Sequence, residues 1–203
     1  LTLLRVEDKG NTYEKRTISG QQDNKLLKPQ WLRVDSAGNV YVLDQGRKAV
    51  VKTDIDGKTF AAVKVAAGAS DGQIALDKNG NLYVVEAWAW GKPFRLRKFS
   101  PEGQPMKFGD KDAVSFEDPE NEWTKAGQAS SGRVKGVCVA DNGDIYVVGT
   151  WQDPKNRAQS KSWVNIYDPT GQLKKSHFID AQSLNEVQAG RDGFYTVDAG
   201  TEA

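Results

Sequence analysis

Short runs of alternating apolar and polar residues recur along this 203-residue chain. Trp31-Leu32-Arg33-Val34, Tyr41-Val42-Leu43 and Trp163-Val164-Asn165-Ile166-Tyr167 are examples. β-Branched and aromatic residues at a period of two predict half-buried strands. The runs are separated by turn chemistry. Asp8-Lys9-Gly10, Asp56-Gly57-Lys58, Pro101-Glu102-Gly103 and Pro169-Thr170-Gly171 form one series. Glycine is free to take positive φ there, and Asp or Pro sets up the turn.

A second series interleaves with the first. Asp35-Ser36-Ala37-Gly38-Asn39-Val40-Tyr41-Val42 matches Asp77-Lys78-Asn79-Gly80-Asn81-Leu82-Tyr83-Val84 in residue or type at six of eight positions. Asp141-Asn142-Gly143-Asp144-Ile145-Tyr146-Val147 is a third copy, and Arg191-Asp192-Gly193-Phe194-Tyr195-Thr196-Val197 a weaker fourth. One unit therefore reads strand A, tight turn, strand B, loop, strand C, tight turn, strand D. A four-stranded unit of about 40–50 residues is the period of a propeller blade. The predicted fold class is all-β, a β-propeller of four-stranded antiparallel blades. The blades fall at about 30–72, 73–133 and 134–182, with partial blades at 1–29 and 183–203.

The pattern Asp-x-x-Gly-Asn-x-Tyr-Val, then an acidic residue, then an apolar strand and Asp-x-x-Gly, resembles the NHL repeat. Asp44 and Glu86 stand where that repeat has an acid after strand B. Gly149 departs from it and Asp198 restores it. The residues themselves read as turn-makers and loop anchors. The resemblance, which extends to the sugar-lactonase-like propellers, implies six blades as the commonest count. It also favours an extracytoplasmic site, periplasmic or secreted. Thr2 to Val6 and Thr12 to Ile18 read as strands C and D of a blade without A and B, and the chain stops soon after a strand B. A partial six-bladed ring, with the rest of a larger chain as partner, is favoured over a closed four-bladed ring, because both ends stop abruptly and uncapped.

The insertions are uneven. From the Tyr of strand B to the Gly of the C–D turn the spacing is 16 (41 to 57), then 20 (83 to 103), then 25 (146 to 171). The growth lies in the B–C loops at Glu86–Pro93 and Gly149–Ser162, and in the D–A connection across Gly109–Arg133. In a meandering blade these connections emerge on one face, opposite the tight A–B and C–D turns. Loops on a rigid scaffold carry function, so this face is the expected working face. Trp88, Trp90, Trp123 and Trp151, four of the six tryptophans, fall in these insertions, and Arg157 lies in a basic loop after Trp151. Indoles are common both in loop mini-cores and at binding hot spots. These five residues are the candidate binding site for a protein or carbohydrate partner.

Composition narrows the chemistry. Lys plus Arg is 28 and Asp plus Glu is 27, so no global field favours nucleic acid. No apolar run approaches membrane-spanning length, so no membrane insertion is expected. Cys138, the single cysteine, has no internal disulfide partner and reads as a small buried apolar residue. His177, the single histidine, lies in a strand D pattern and reads as a surface strand residue. Multi-histidine zinc sites, as in amidating lyases that resemble this fold, cannot be built from this chain alone. Asp54-Ile55-Asp56-Gly57 starts like a calcium loop without the later acidic ligand. No nucleophile elbow, Walker loop or dinucleotide fingerprint appears. Sugar-lactone hydrolases of related shape use an acid–Asn–acid metal site, but Asp44, Glu86 and Asp198 repeat as an anchor would. The expectation is therefore no catalytic residue, no metal and no cofactor. A lactonase- or lyase-like enzyme, its channel-mouth site completed outside this chain, is the alternative.

Overall fold

The computed structural model describes residues 2–6, 13–17, 26–55, 57, 60–65, 73–86, 94–116, 133–152, 160–179, 181, 184–190 and 193–198. The described residues contain strands and turns and no helix. The chain divides into two compact units, residues 1–65 and 66–203.

The first unit holds the hairpin of β1 (Thr2–Val6) and β2 (Tyr13–Thr17). It also holds a sheet in the order β3 (Pro29–Val34), β4 (Val40–Asp44), β5 (Ala49–Thr53), β6 (Phe60–Lys64). The second unit holds three antiparallel sheets. One runs β7 (Gln73–Leu76), β8 (Leu82–Glu86), β9 (Arg95–Phe99), β10 (Pro105–Met106), with β11 (Val114–Ser115) also on β9. The next runs β12 (Arg133–Val139), β13 (Ile145–Gln152), β14 (Ser160–Tyr167), β15 (Leu173–Ile179). The last pairs β16 (Leu184–Ala189) with β17 (Phe194–Asp198). Strands β4 and β8 are apolar over four successive positions because both their faces are covered. All five residues of β4 and of β8 are buried.

The repeated octapeptide has an atomic explanation. Asp35 Oδ1 accepts the backbone N–H groups of Ala37 and Asn39 at 3.0 and 2.8 Å. Its Oδ2 accepts the Asn39 side-chain amide at 2.8 Å and the Tyr41 hydroxyl at 3.4 Å. Gly38, at φ +83°, supplies the left-handed turn residue. Asp77 repeats the set with Asn79, Asn81 and Tyr83 at 2.8–3.3 Å. The motif Asp-x-x-Gly-Asn-x-Tyr is thus one clamp closing the A–B turn. The third copy is built differently. Ala140 occupies the clamp position, and Asp144 pairs with Asn142 and with Lys174 Nζ at 2.7 Å. At the C–D turns, Asp168 accepts from Thr170 N, Thr170 Oγ1 and Gln172 N, and the Ser100 hydroxyl takes the same place one sheet earlier.

The fourth strand of the β7–β11 sheet is split. Val114 and Ser115 pair with Leu96 and Arg95, and Phe116 N–H donates to Phe94 O. Strand D therefore returns after an excursion at 107–113, and the long D–A connection begins after Phe116, not at Gly109 as the spacing predicts. The excursion drives Phe108 into the core, where its ring tilts on Tyr83 at 6.1 Å.

Two apolar layers hold the second unit together. One, between the β7–β11 and β12–β15 sheets, includes Tyr83, Val85, Leu96, Phe108, Val147 and Trp163. The other, between the β12–β15 sheet and β16–β17, includes Cys138, Val148, Val164, Leu184 and Val187. Cys138 is buried, as its apolar neighbours predict, and His177 is exposed on β15. β12, the first strand of its sheet, lies against both β7 and β16, the first strands of theirs. At β12 and β16 the approach is close. Both carry bulges, at Val134/Gly136 and Asn185/Gln188, and Glu186 takes φ +57°. A Cβ on Gly136 would sit 2.8 Å from the Glu186 carbonyl carbon and 2.8 Å from Val187 N.

Candidate functional site: the loop-bearing end of the sheets

In each meandering sheet the B–C loop and the D–A connection leave from one end, and the A–B and C–D turns from the other. The clamp hydrogen bonds described above close the turn end tightly. At the opposite end of the second unit, 87–93 join β8 to β9, 117–132 join β11 to β12, and 153–159 join β13 to β14. The corresponding B–C connection in the first unit is short, Gln45 to Lys48.

Trp88, Trp90, Trp123 and Arg157 lie outside the described residues. Trp151 is placed differently from its expected loop position. It belongs to β13, opposite Lys161 of β14, because those strands extend to Gln152 and from Ser160. The expanded connection is therefore 153–159, shorter than the sequence spacing predicts.

The acids that end strand B are buried and held by local partners. Asp44 is 0% exposed. Its carboxylate accepts N–H groups of Leu27 at 2.7 Å, Lys28 at 2.8 Å, Gly46 at 3.0 Å and Arg47 at 3.3 Å. It ties the chain entering β3 to the β4–β5 turn, the anchoring that its repetition predicts. Four N–H donors offset the cost of burying a carboxylate. Gly46 is needed there, since a Cβ would stand 2.6 Å from Leu27 Cβ.

Glu86 solves the same burial problem with charge. It is also 0% exposed, and it accepts from Arg95 Nε at 2.8 Å and Arg97 Nη1 at 3.3 Å. Arg95 is its cross-strand partner and Arg97 lies two residues on along the same face. Arg97 also lies over the Phe99 ring at 4.7 Å. This ion triad was not singled out by the sequence reading. The signal was present, as Arg-x-Arg alternation in the strand after a buried acid.

At the third equivalent position Gly149 pairs across to Trp163. Trp163 is 2% exposed, and its indole N–H has no hydrogen-bond partner. Gln73, first residue of β7, is 3% exposed with Oε1 likewise unpartnered. Asp198, the fourth equivalent, ends β17 opposite Leu184.

Among the described residues no group of three or more His, Cys, Asp or Glu side chains could hold one metal ion. No helix among them is long and apolar enough to cross a membrane.

No protein family profile matches the chain, and no curated protein sequence matches it. Solved structures do. Nidogen, in a crystal structure of the nidogen/laminin complex, aligns at TM-score 0.60 and 14% identity, covering 97% of this chain and 64% of that one. A catalytically inactive virginiamycin B lyase from Staphylococcus aureus, with quinupristin, aligns at TM-score 0.58 and 12% identity, covering 97% and 56%. A protein of unknown function from Bacteroides caccae aligns at TM-score 0.51 and 14% identity, covering 84% and 57%. The chain thus spans less than two thirds of each of these chains. Identities this low speak to fold alone, and the fold is a β-propeller built of four-stranded antiparallel blades.

Proposed function

We propose that this chain is a non-catalytic binding module of NHL-like repeat, which presents tryptophan-bearing connections to a protein or glycan partner. One observation carries the reading. The three long connections of the second unit all leave the sheets at their B–C and D–A end, while the opposite end is tied in hydrogen-bonded turns. Trp88, Trp90, Trp123, Trp151 and Arg157 form the contact set. Rigidly mounted indoles give large contact area at low entropy cost. The fold match to nidogen, solved in a complex with laminin, supports a protein partner.

The fold match to virginiamycin B lyase supports a second reading, an enzyme whose site is completed outside this chain. The two readings separate in one experiment. A glycan array and a panel of purified extracellular proteins supply a ligand, and Trp90→Ala and Trp151→Ala are titrated against it. The binding reading expects a loss of about 2 kcal/mol or more with the melting temperature nearly unchanged. Turnover of a lactone probe by a longer protein that completes the propeller, undiminished in either variant, would instead support the enzyme.

A further inference from the structure

We propose that β15, the outer strand of the β12–β15 sheet, is a docking edge for an extended segment of a partner protein in which apolar and acidic residues alternate. The edge uses none of the loop tryptophans, and it stands whether or not those loops bind a partner.

The outer strands of the sheets differ in what they leave open. In the β7–β11 sheet that place is divided between β10 and β11, of two residues each, interrupted by the excursion at 107–113. Short, broken edges are poor templates for another strand. In the first unit the exposed side chains described on β6 are Ala61, Ala62 and Lys64. β15 is different. It runs seven residues, six of them exposed, and among the described residues it pairs only with β14. Leu173 and Phe178 are large apolar side chains exposed on it.

Register sorts the side chains of this edge by chemistry. Trp163, Asn165 and Tyr167 alternate along β14 and share one face. Opposite them stand Phe178, Ser176 and Leu173. Leu173 reaches that face because the ladder shifts between Ile166 and Tyr167, which leaves Lys174 as the extra residue of a bulge. Without the shift, strict alternation would place Lys174 there instead. The other face carries Lys175, opposite Ile166, and His177, opposite Val164. β15 therefore has an apolar face and a basic face, with no acidic side chain on either. Lys174 is held at 2.7 Å by Asp144, so the basic character offered to a partner rests on Lys175 and His177.

A strand added to β15 would lie about 4.8 Å beyond it, each residue sharing the face of the β15 residue directly opposite. The residues across from Ser176 and Phe178 are then apolar. Those across from Lys175 and His177 are acidic, where carboxylates accept from the ammonium group and from a ring N–H. Main-chain bonds supply affinity, and the alternating side chains supply selection. A second copy of β15 would bring only basic side chains to the basic face, where like charges repel.

The test titrates the full chain against labelled peptides of about eight residues, blocked at both ends and read by fluorescence anisotropy. The first alternates valine and glutamate, and the second valine and lysine. The third is the first with every main-chain nitrogen methylated. The proposal expects saturable binding of the first, about fivefold weaker for the second and about tenfold or more weaker for the third. In a proton–nitrogen NMR spectrum of the full chain, the first peptide should move the amide resonances of residues 175–179. Lys175→Glu should reverse the order of the first two peptides, and Phe178→Ser should weaken the first about fivefold. The proposal is overturned if the first peptide does not bind, if it binds no better than the second, if methylation costs nothing, or if the shifts fall outside β15. Self-association of the chain through β15 that the first peptide does not displace also overturns it, since the edge then belongs to a second copy.

Discussion

Tyr83 shows how one residue serves three purposes. Its ring is 2% exposed and packs on Phe108, Lys98 Nζ sits 5.2 Å from its centroid, and its hydroxyl donates to Asp77 of the turn clamp. Tyr83→Ala should cost about 3–5 kcal/mol, as truncation of a large buried aromatic does. Chemical denaturation measures it, and a loss below about 1 kcal/mol would take Tyr83 out of the core. The hydroxyl adds a pH signature. Burial, and then the Asp77 carboxylate beside it, raise its pKa above the ordinary 10.0. The folded state therefore holds the phenolic proton more tightly than the unfolded chain. The stability tied to that proton is complete below pH 10 and is lost as pH rises toward the folded value. Tyr83→Phe should flatten the loss of stability above pH 10, measured by denaturant midpoints across the alkaline range.

At the level of strands, the β12–β16 approach depends on the absence of a side chain at Gly136. In Gly136→Ala the new methyl meets main-chain atoms of Glu186 and Val187, which cannot rotate aside. The expected cost is about 1–3 kcal/mol, read from the denaturation midpoint. A change within about 0.5 kcal/mol would mean that the two bulges slide apart freely. Nothing in the sequence around Val134-Lys135-Gly136 announces this, because alternation reports which face of a strand is covered and not what covers it. The strands themselves were legible. Strands A, B and C of the sheets begin and end close to where the period of two and the Asp–Gly turns place them. The clamp at Asp35 and Asp77 was legible as turn chemistry, and the acids at Asp44 and Glu86 as anchors. Other features escaped as well. The fourth strand of the β7–β11 sheet resumes after Phe108, since two-residue strands are too short to show a period. Trp151 lies in β13, because spacing alone assigned the strand extension to the loop. The Gly149–Trp163 row carries meaning only once register pairs it.

For the molecule as a whole, the architecture leaves strand edges to be dealt with. Among the described residues β15 is the outer strand of its sheet, paired only with β14, and six of its seven residues are exposed. Leu173 and Phe178 are 50% and 39% exposed, so this rim joins open main-chain donors and acceptors to apolar side chains. Such an edge is a template on which another chain can add a strand. Lys174 and Lys175 stand within it, and Lys174 is fixed at 2.7 Å to Asp144. Lys175 makes no such bond among the described residues. Its charge serves solubility: two molecules meeting edge to edge would bring like charges together without a counterion between them. Lys175→Ile should leave the fold intact and convert the rim into an adhesive one. Faster growth of light scattering on agitation, with a melting temperature close to that of the parent chain, is the expected result. The β12–β15 sheet thus meets its colloidal hazard at its outer strand, and there the Lys175 ammonium group stands guard over the boundary.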